Sequence, residues 1–150
     1  MIVYRLAGLD YADDLSGEGA AIFGGRWNPV GSKALYTSQH ISLCILEILV
    51  RSQPDIYPRG HQLITIEFPE TSMLVITLPQ LEAGWKKHIE YTQWIGEEFL
   101  NNNEFLILQV PSAIVERENN FIINPIHKLY NKVKILNIEP LDLDRRLAQI

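Results

Sequence analysis

A glycine pair followed by an arginine is the first chemically suggestive feature of the sequence, in residues 24–29 (GGRWNP). Paired glycines tolerate positive φ angles and let a ligand approach the backbone closely. The planar guanidinium of Arg26 can bind a phosphate through two parallel hydrogen bonds. The alternative is an ordinary turn in which a surface arginine packs against Trp27. The run by itself leaves both interpretations open.

Glu47 is a carboxylate in an apolar setting, because residues 39–50 are aliphatic on almost every side of the helix that they predict. Burying a carboxylate without a partner is costly, and acids in such surroundings cluster at functional sites. We therefore expect Glu47 to be half-buried and to line a site. The alternative is a surface ion pair with Arg51, one helical turn further on.

Tyr36 and Ser112 each lie at the end of a predicted strand. Tyr36 belongs to strand 34–38, immediately before the helix of Glu47, and a strand-to-helix junction is a common place for a site. Its alternative role is that of a core tyrosine. Ser112 follows strand 105–110, and a lone serine in that position is usually a turn or cap residue.

The elements that must position these residues follow from hydrophobic periodicity. Strands are predicted at 2–6, 34–38, 62–68, 73–77, 105–110, 121–123 and 133–138, and helices at 39–51 and 86–101. Ser38 is the predicted N-cap of the first helix and Pro54 its end. Residues 8–33 hold six of the nine glycines and predict an ordered functional loop with one short helical turn. Strands that are not regularly interleaved with helices predict an α+β domain.

Composition excludes several classes of protein. A net charge of −5 and a pI of about 5.3 argue against direct binding to nucleic acid. One cysteine, Cys44, cannot form an intrachain disulfide, and its apolar neighbours predict a packing role. The four histidines lack ligand spacing, so we expect no metal. Without a leader or membrane span, a single cytoplasmic domain over residues 1–150 is predicted.

Taken in chain order, these motifs resemble the RES domain, a family named after arginine, glutamate and serine. The set is specific although each piece alone is weak, and it covers essentially the whole chain. The motifs are Val3-Tyr4-Arg5, residues 17–20 (GEGA), residues 24–28 (GGRWN), residues 36–38 (YTS), Glu47, Val110-Pro111-Ser112, Asn124-Pro125 with His127, and residues 144–147 (DRRL).

The resemblance implies a toxin of a bacterial toxin–antitoxin pair, whose antitoxin carries an Xre-type helix-turn-helix. It also implies mixed, mostly antiparallel sheets with a few helices, similar to the ADP-ribosyltransferase fold, and it is compatible with a homodimer. Family members deplete NAD by hydrolysis or phosphorolysis, or ADP-ribosylate a host protein. By position, the family's site residues correspond to Arg26, Tyr36, Glu47 and Ser112, and Arg5 is a further matching basic residue.

The residue types fit cleavage of NAD as a substrate. A carboxylate can stabilise the oxocarbenium character that develops on the ribose, and we expect Glu47 to do so. The ring of Tyr36 would face the cationic nicotinamide, while Arg26 and Arg5 would bind the pyrophosphate. Ser112 would hydrogen-bond the nicotinamide amide or the adjoining ribose. The alternatives are ADP-ribosylation of a host metabolic protein, a non-catalytic module that binds a nucleotide or peptide, and a hydrolase with Ser112 as nucleophile, which lacks a motif for its base.

Overall fold

The structure is a computed structural model that describes residues 1–51, 60–144 and 146–147. Pro54, the predicted end of the first long helix, and Arg145 of the last family motif lie outside the described residues. The strands found within this part of the chain are β1 (Ile2–Gly8), β2 (Leu35–Ser38), β3 (His61–Glu67), β4 (Met73–Val75), β5 (Ile107–Pro111), β6 (Asn119–Ile123) and β7 (Lys134–Pro140). The α-helices are α1 (Glu18–Phe23), α2 (Ile41–Leu49) and α3 (Ile89–Asn102).

The strands form one sheet in the order β4-β5-β6-β2-β1-β3-β7. Every neighbouring pair is antiparallel except β4 and β5, which are parallel. The connections are not the repeated crossover helices that a parallel sheet requires. The predicted α+β class, with a mixed and mostly antiparallel sheet and a few helices, is therefore confirmed.

The sheet has an apolar core on each face, because successive side chains of a strand point in opposite directions. On one face, Ile107 and Phe121 pack with the end of the loop that follows β1 and with residues 129–133. On the other face, Leu108 and Ile122 pack against α3 and Trp27. Helix α2 covers β1 and β3 on this second face through Cys44.

Strands β1 and β2 are paired at one position only, Tyr4 with Ser38. By contrast, β1 and β3 pair along seven consecutive positions. Beyond Tyr4 and Ser38 the two strands separate, and residues of both line the same cleft. The site therefore lies at this gap in the middle of the sheet.

The predicted N-cap at Ser38 is wrong. Helix α2 begins at Ile41 after His40, and no side chain caps it. Ser38 is instead the last residue of β2, and its hydroxyl donates to Asn120 Oδ1 at 2.7 Å. A neighbouring strand provides the acceptor that local sequence could not reveal, and it outcompetes the cap.

Helix α2 is also less enclosed than its sequence predicts, because Leu46 and Val50 are 37% and 62% exposed. The loop before β2 contains the expected short helical segment, α1, in addition to a single 3₁₀ turn at Leu9–Tyr11. No helix in the described part of the chain is both long and apolar enough to cross a bilayer.

Candidate functional site

An open cleft of about 330 Å³ lies where β1 and β2 separate. It is walled by α1, by the loop that follows α1, by β2 and by α2. Four of the five predicted site residues line it, together with a residue that sequence analysis treated only as an ion-pair partner: Arg5, Arg26, Tyr36, Glu47 and Arg51. The structure thus brings together residues of both the glycine-rich loop and the helix of Glu47.

Residues 24–28, which we call the arginine loop, are held by a buried asparagine. The Asn28 side chain is fully buried, and its Nδ2 donates to the carbonyl oxygens of Ala20 and Ser32 at 2.8 and 2.9 Å. The Gly25 N–H donates to the Asn28 carbonyl at 2.9 Å, which closes the turn. One amide therefore ties the arginine loop to α1 and to the segment before β2.

Tyr36 supports the same loop through its hydroxyl. The hydroxyl donates to Asn28 Oδ1 at 2.7 Å and accepts from the Trp27 N–H at 2.9 Å. A Cβ atom added to Gly25 would stand 2.6 Å from this oxygen, so the close approach requires glycine. Burial raises the pKa of Tyr36, and the hydroxyl remains a donor. Its ring is left to face the cleft.

Helix α3 supports the arginine loop from behind. Gln93 Nε2 donates to the Gly25 carbonyl at 2.8 Å. A Cβ atom on Gly96 would stand 1.7 Å from the Trp27 carbonyl oxygen, so helix and loop backbones meet where no side chain fits. Both contacts join segments that are far apart in the sequence, so sequence analysis could not predict them.

Arg26 reaches from the loop towards residues 85–86. Its Nη1 donates to the Lys86 carbonyl at 3.0 Å, and its guanidinium carbon lies 5.7 Å from the centroid of the Trp85 ring. Desolvation lowers the pKa of Arg26, and the negative charge of Glu47 opposes that shift. The two charged groups therefore act on each other across the cleft.

Glu47 stands opposite the arginine loop and is half-buried, with its side chain 19% exposed. Its Oε1 accepts hydrogen bonds from Ser112 Oγ at 3.0 Å and from Asn120 Nδ2 at 2.5 Å. Its Oε2 lies 4.0 Å from Arg51 Nη2. We call Glu47, Ser112 and Asn120 the carboxylate cluster, because the last two hold one oxygen of the first.

Ser112 lies behind Glu47 and does not line the cleft. It is fully buried, and its Oγ accepts from the backbone N–H groups of Ile114 and Val115 at 3.0 and 3.1 Å while donating to Glu47. The Ser112 hydroxyl already makes three hydrogen bonds within the protein, so this arrangement does not support the expected contact of Ser112 with nicotinamide.

Arg5 and Arg51 provide further positive charge. Arg5 Nη1 donates to the Tyr11 carbonyl at 3.3 Å. Desolvation lowers the pKa of Arg5, and the charge of Asp14 opposes this. The Arg51 guanidinium carbon lies 5.8 Å from the centroid of the Tyr36 ring, at a distance where a cation is attracted to an aromatic face.

The motif around Asn124 and His127 serves the fold. Asn124 Nδ2 donates to the Leu100 carbonyl and to Asn103 Oδ1, which ties the segment after β6 to the end of α3. His127 is buried beside the Glu104 carbonyl. Within the described residues, no three His, Cys, Asp or Glu side chains form a potential metal site, and the expected absence of a metal stays a prediction.

Together the split, mostly antiparallel sheet, the arginine loop and the opposed carboxylate define a class of α+β protein in which charged side chains line a cleft between β1 and β2. The family model described as "RES domain" matches residues 2–144. This chain belongs to the RES domain family, and the predicted family is confirmed.

Relatives span nearly the whole chain. A protein named "Toxin Res" from Photorhabdus laumondii is 36% identical over 156 residues, which cover 99% of this chain and 98% of that protein. A "Prs ADP-ribosylating toxin" from Sphingobium sp. is 35% identical over 92% of this chain and 89% of its own length.

A solved structure shares the fold. It is the Mycobacterium tuberculosis MbcT–MbcA toxin–antitoxin complex, which matches 99% of this chain and 86% of the solved chain with a TM-score of 0.77 and 24% identity. The M. tuberculosis protein named "NAD(+) phosphorylase MbcT" is 34% identical over 84 residues, which cover 51% of this chain and 45% of that protein.

Proposed function

We propose that this chain is the toxin of a toxin–antitoxin pair and consumes NAD by cleaving the bond between nicotinamide and ribose. The observation that carries the proposal is a half-buried carboxylate, Glu47, that lines one cleft together with three arginines and the ring of Tyr36. The names of relatives, a toxin, an ADP-ribosylating toxin and an NAD(+) phosphorylase, support the same chemistry.

Glu47 is suited to stabilise positive charge on the ribose. As nicotinamide leaves, the sugar acquires oxocarbenium character, and an adjacent carboxylate lowers the energy of that state. Both hydrogen bonds that Glu47 accepts through Oε1 come from neutral groups, so neither donor brings a compensating positive charge. Its other oxygen is directed towards Arg51, which also lines the cleft.

The remaining residues bind and orient NAD. The ring of Tyr36 already carries a planar cation, the Arg51 guanidinium, at 5.8 Å, and a nicotinamide cation has the same preference for an aromatic face. Arg26 and Arg5 bind the pyrophosphate. Ser112 acts through Glu47 as a positioning residue, because its hydroxyl contacts the carboxylate.

The acceptor of the ADP-ribosyl group distinguishes two candidate activities. Water or phosphate as acceptor makes the chain an enzyme that destroys NAD, and the half-chain similarity to an NAD(+) phosphorylase favours this. A host protein as acceptor makes it an ADP-ribosyltransferase, and the similarity to the Prs ADP-ribosylating toxin over 92% of the chain favours that. Both activities share the same first bond cleavage.

The partner in this proposal is an antitoxin with an Xre-type helix-turn-helix, and the site of action is the cytoplasm. The related fold in a toxin–antitoxin complex supports an antitoxin, and the family resemblance supports its Xre type. The resemblance also supports a homodimer, which sedimentation of the purified chain would test.

The test is incubation of the purified chain with NAD under three conditions: alone, with added phosphate and with a cell extract. The products are then identified by mass. We expect released nicotinamide, together with ADP-ribose, its phosphorylated form or a modified protein. Absence of nicotinamide under all three conditions would contradict the proposal and favour a non-catalytic binding module.

The informative variant is Glu47→Gln. Because Ser112 and Asn120 both donate, they retain the glutamine oxygen at the Oε1 position and leave an NH₂ group where Oε2 faced the cleft. We expect turnover to fall by roughly 10²- to 10³-fold with an unchanged melting temperature, because the charge that opposes the oxocarbenium ion is lost. The matched control is Glu98→Gln, on an exposed position of α3. Turnover within a few-fold of wild type would overturn the role of Glu47.

A further inference from the structure

Asn120 lies between two polar side chains from distant parts of the chain. Its Oδ1 accepts from Ser38 Oγ at 2.7 Å, and its Nδ2 donates to Glu47 Oε1 at 2.5 Å. Ser38 is only 4% exposed, and Ser38, Asn120 and Glu47 all border the cleft, so this hydrogen-bonded relay of three side chains lies along its lining.

The orientation of the Asn120 amide follows from its neighbours. A carboxylate can only accept hydrogen bonds, so the group that faces Glu47 must be the NH₂. The Ser38 hydroxyl then donates to the amide oxygen. Reversing the amide would place oxygen against oxygen at Glu47, whereas the Ser38 hydroxyl could serve as donor or acceptor, so it is Glu47 that determines the orientation.

The sheet determines the position of this relay. Ser38 and Asn120 are directly opposite each other in the antiparallel pairing of β2 with β6. Side chains opposite each other on one face of a sheet are in contact. Asn120 is therefore anchored by strand pairing, whereas Glu47 projects from the separate helix α2.

We infer that Asn120 is a positioning residue, which together with Ser112 holds Oε1 of Glu47 and thereby makes Oε2 the oxygen that faces the substrate. Ser38 restrains the Asn120 amide by donating to its oxygen. The inference rests on the proposed function for its catalytic consequence, but the contact itself does not depend on it.

Neutral donors are suited to this task. A lysine or arginine bonded to Oε1 would orient the carboxylate but would also neutralise part of its charge. An amide and a hydroxyl orient it and leave the charge available for the developing cation. Arg51, whose guanidinium lies 4.0 Å from Glu47 Oε2, has a side chain that is 58% exposed, so water screens the interaction between the two charges.

The kinetic test compares Asn120→Ala with Asn119→Ala. Removing the Asn120 amide lets the carboxylate rotate, and we expect kcat to fall by up to about a hundredfold while KM changes by less than about threefold. Asn119 is the matched control, since it is the preceding residue of β6 and its amide contacts Gln39 instead of Glu47. Equal kcat values for the two variants would overturn the inference.

The pH profile of Asn120→Asp separates positioning from a structural role. The introduced carboxyl faces Glu47, so the two groups share one proton and the pair ionises fully only at higher pH. We expect activity to recover as the pH falls from 8 towards 5, because the shared proton restores a donor to Glu47. A pH profile identical in shape to that of wild type would contradict the inference.

A measurement that needs no turnover tests the contact alone. The side-chain NH₂ resonances of Asn120, assigned by their loss in Asn120→Ala, should shift in Glu47→Gln and stay in place in Asn119→Ala. Unchanged resonances in Glu47→Gln would overturn the inference even if NAD is consumed. A clear shift without NAD consumption would instead leave the contact in place and reject the proposed function.

Ser38→Ala gives a milder change should the Asn120 variants fold poorly. Without the serine hydroxyl the amide is less restrained but can still donate to Glu47, so we expect a loss of a few-fold in kcat, smaller than for Asn120→Ala. A rise in KM alone, with kcat unchanged, would contradict the proposed relay.

Discussion

The arginine loop and the carboxylate cluster form two opposite walls of the cleft, and they hold their charged groups in different ways. In the arginine loop it is mainly the backbone that is held in place. The Asn28 amide and the Tyr36 hydroxyl form hydrogen bonds within it, and Gly96 of α3 packs directly against it. In the carboxylate cluster the charged group itself is held, because two side-chain donors bind one oxygen of Glu47.

The two walls therefore depend on different properties. The arginine loop depends on how tightly its backbone is packed, and the carboxylate cluster depends on its hydrogen-bond donors. Close approach of backbones makes the arginine loop sensitive to one added methyl group, and the damage should appear in the free energy of unfolding. Hydrogen-bond donors determine the carboxylate cluster, and their loss should appear in kcat with little change in stability. Three variants test these expectations, besides those of Glu47 and Asn120.

The largest effect on stability is expected for Gly96→Ala. In an ordinary helix interior, alanine would stabilise by roughly 0.5–1 kcal/mol relative to glycine. Here the new Cβ would stand 1.7 Å from the Trp27 carbonyl oxygen, and backbone cannot move aside as a side chain can. We expect a net loss of about 3 kcal/mol, seen as a melting temperature lower by roughly 6–12 °C.

Gly8→Ala is the control for Gly96→Ala, since no heavy atom lies within 4 Å of the added Cβ. Its melting temperature should remain close to that of wild type. If Gly96→Ala were as stable as this control, the arginine loop would not be packed against α3, and the contrast between the two walls would fail.

A smaller effect is expected for Tyr36→Phe. The variant keeps the ring but removes the partner of Asn28 Oδ1 and of the Trp27 N–H, which costs about 1–2 kcal/mol in a buried setting. Because the loop that carries Arg26 loosens, KM for NAD should rise more than kcat falls. A fall in kcat alone, measured in steady-state assays beside chemical denaturation, would place Tyr36 with the carboxylate cluster instead.

Local pattern predicted the elements of the site better than their contacts. The half-buried state of Glu47 follows from an apolar helix, and the α+β class follows from strands without interleaved helices. The β6 strand was predicted only from residue 121, because Asn119 and Asn120 have low strand propensity. This omission hid the relay, since only the register of β2 with β6 places Ser38 opposite Asn120.

The role of Ser112 illustrates the same limit. Its position after a strand predicts a residue that binds nearby backbone N–H groups, and it does accept from Ile114 and Val115. Its remaining bond is to Glu47, 65 residues earlier in the chain. Local propensity accounts for two of its three hydrogen bonds, whereas the third, which matters for the site, depends on how α2 docks on the sheet.

The smallest effect concerns alkaline pH and the cysteine beneath the carboxylate cluster. Burial raises the pKa of the Cys44 thiol to about 12 from its ordinary value of 9.0, and a hydrogen bond with Ser38 opposes the shift. Between these values the unfolded chain has lost the proton that the folded chain retains. The free energy of unfolding must therefore fall as pH rises above 9.

Urea denaturation at pH 8 and pH 10 measures this loss. We expect wild type to lose about 1 kcal/mol through the thiol over this range. Cys44→Ala should lose less, whereas Tyr36→Phe should still show most of the wild-type loss, because an unfolded tyrosine begins to ionise only near its ordinary pKa of 10.0. Equal losses in wild type and Cys44→Ala would mean that the thiol is solvated, and that the base of the carboxylate cluster is more open than the arginine loop.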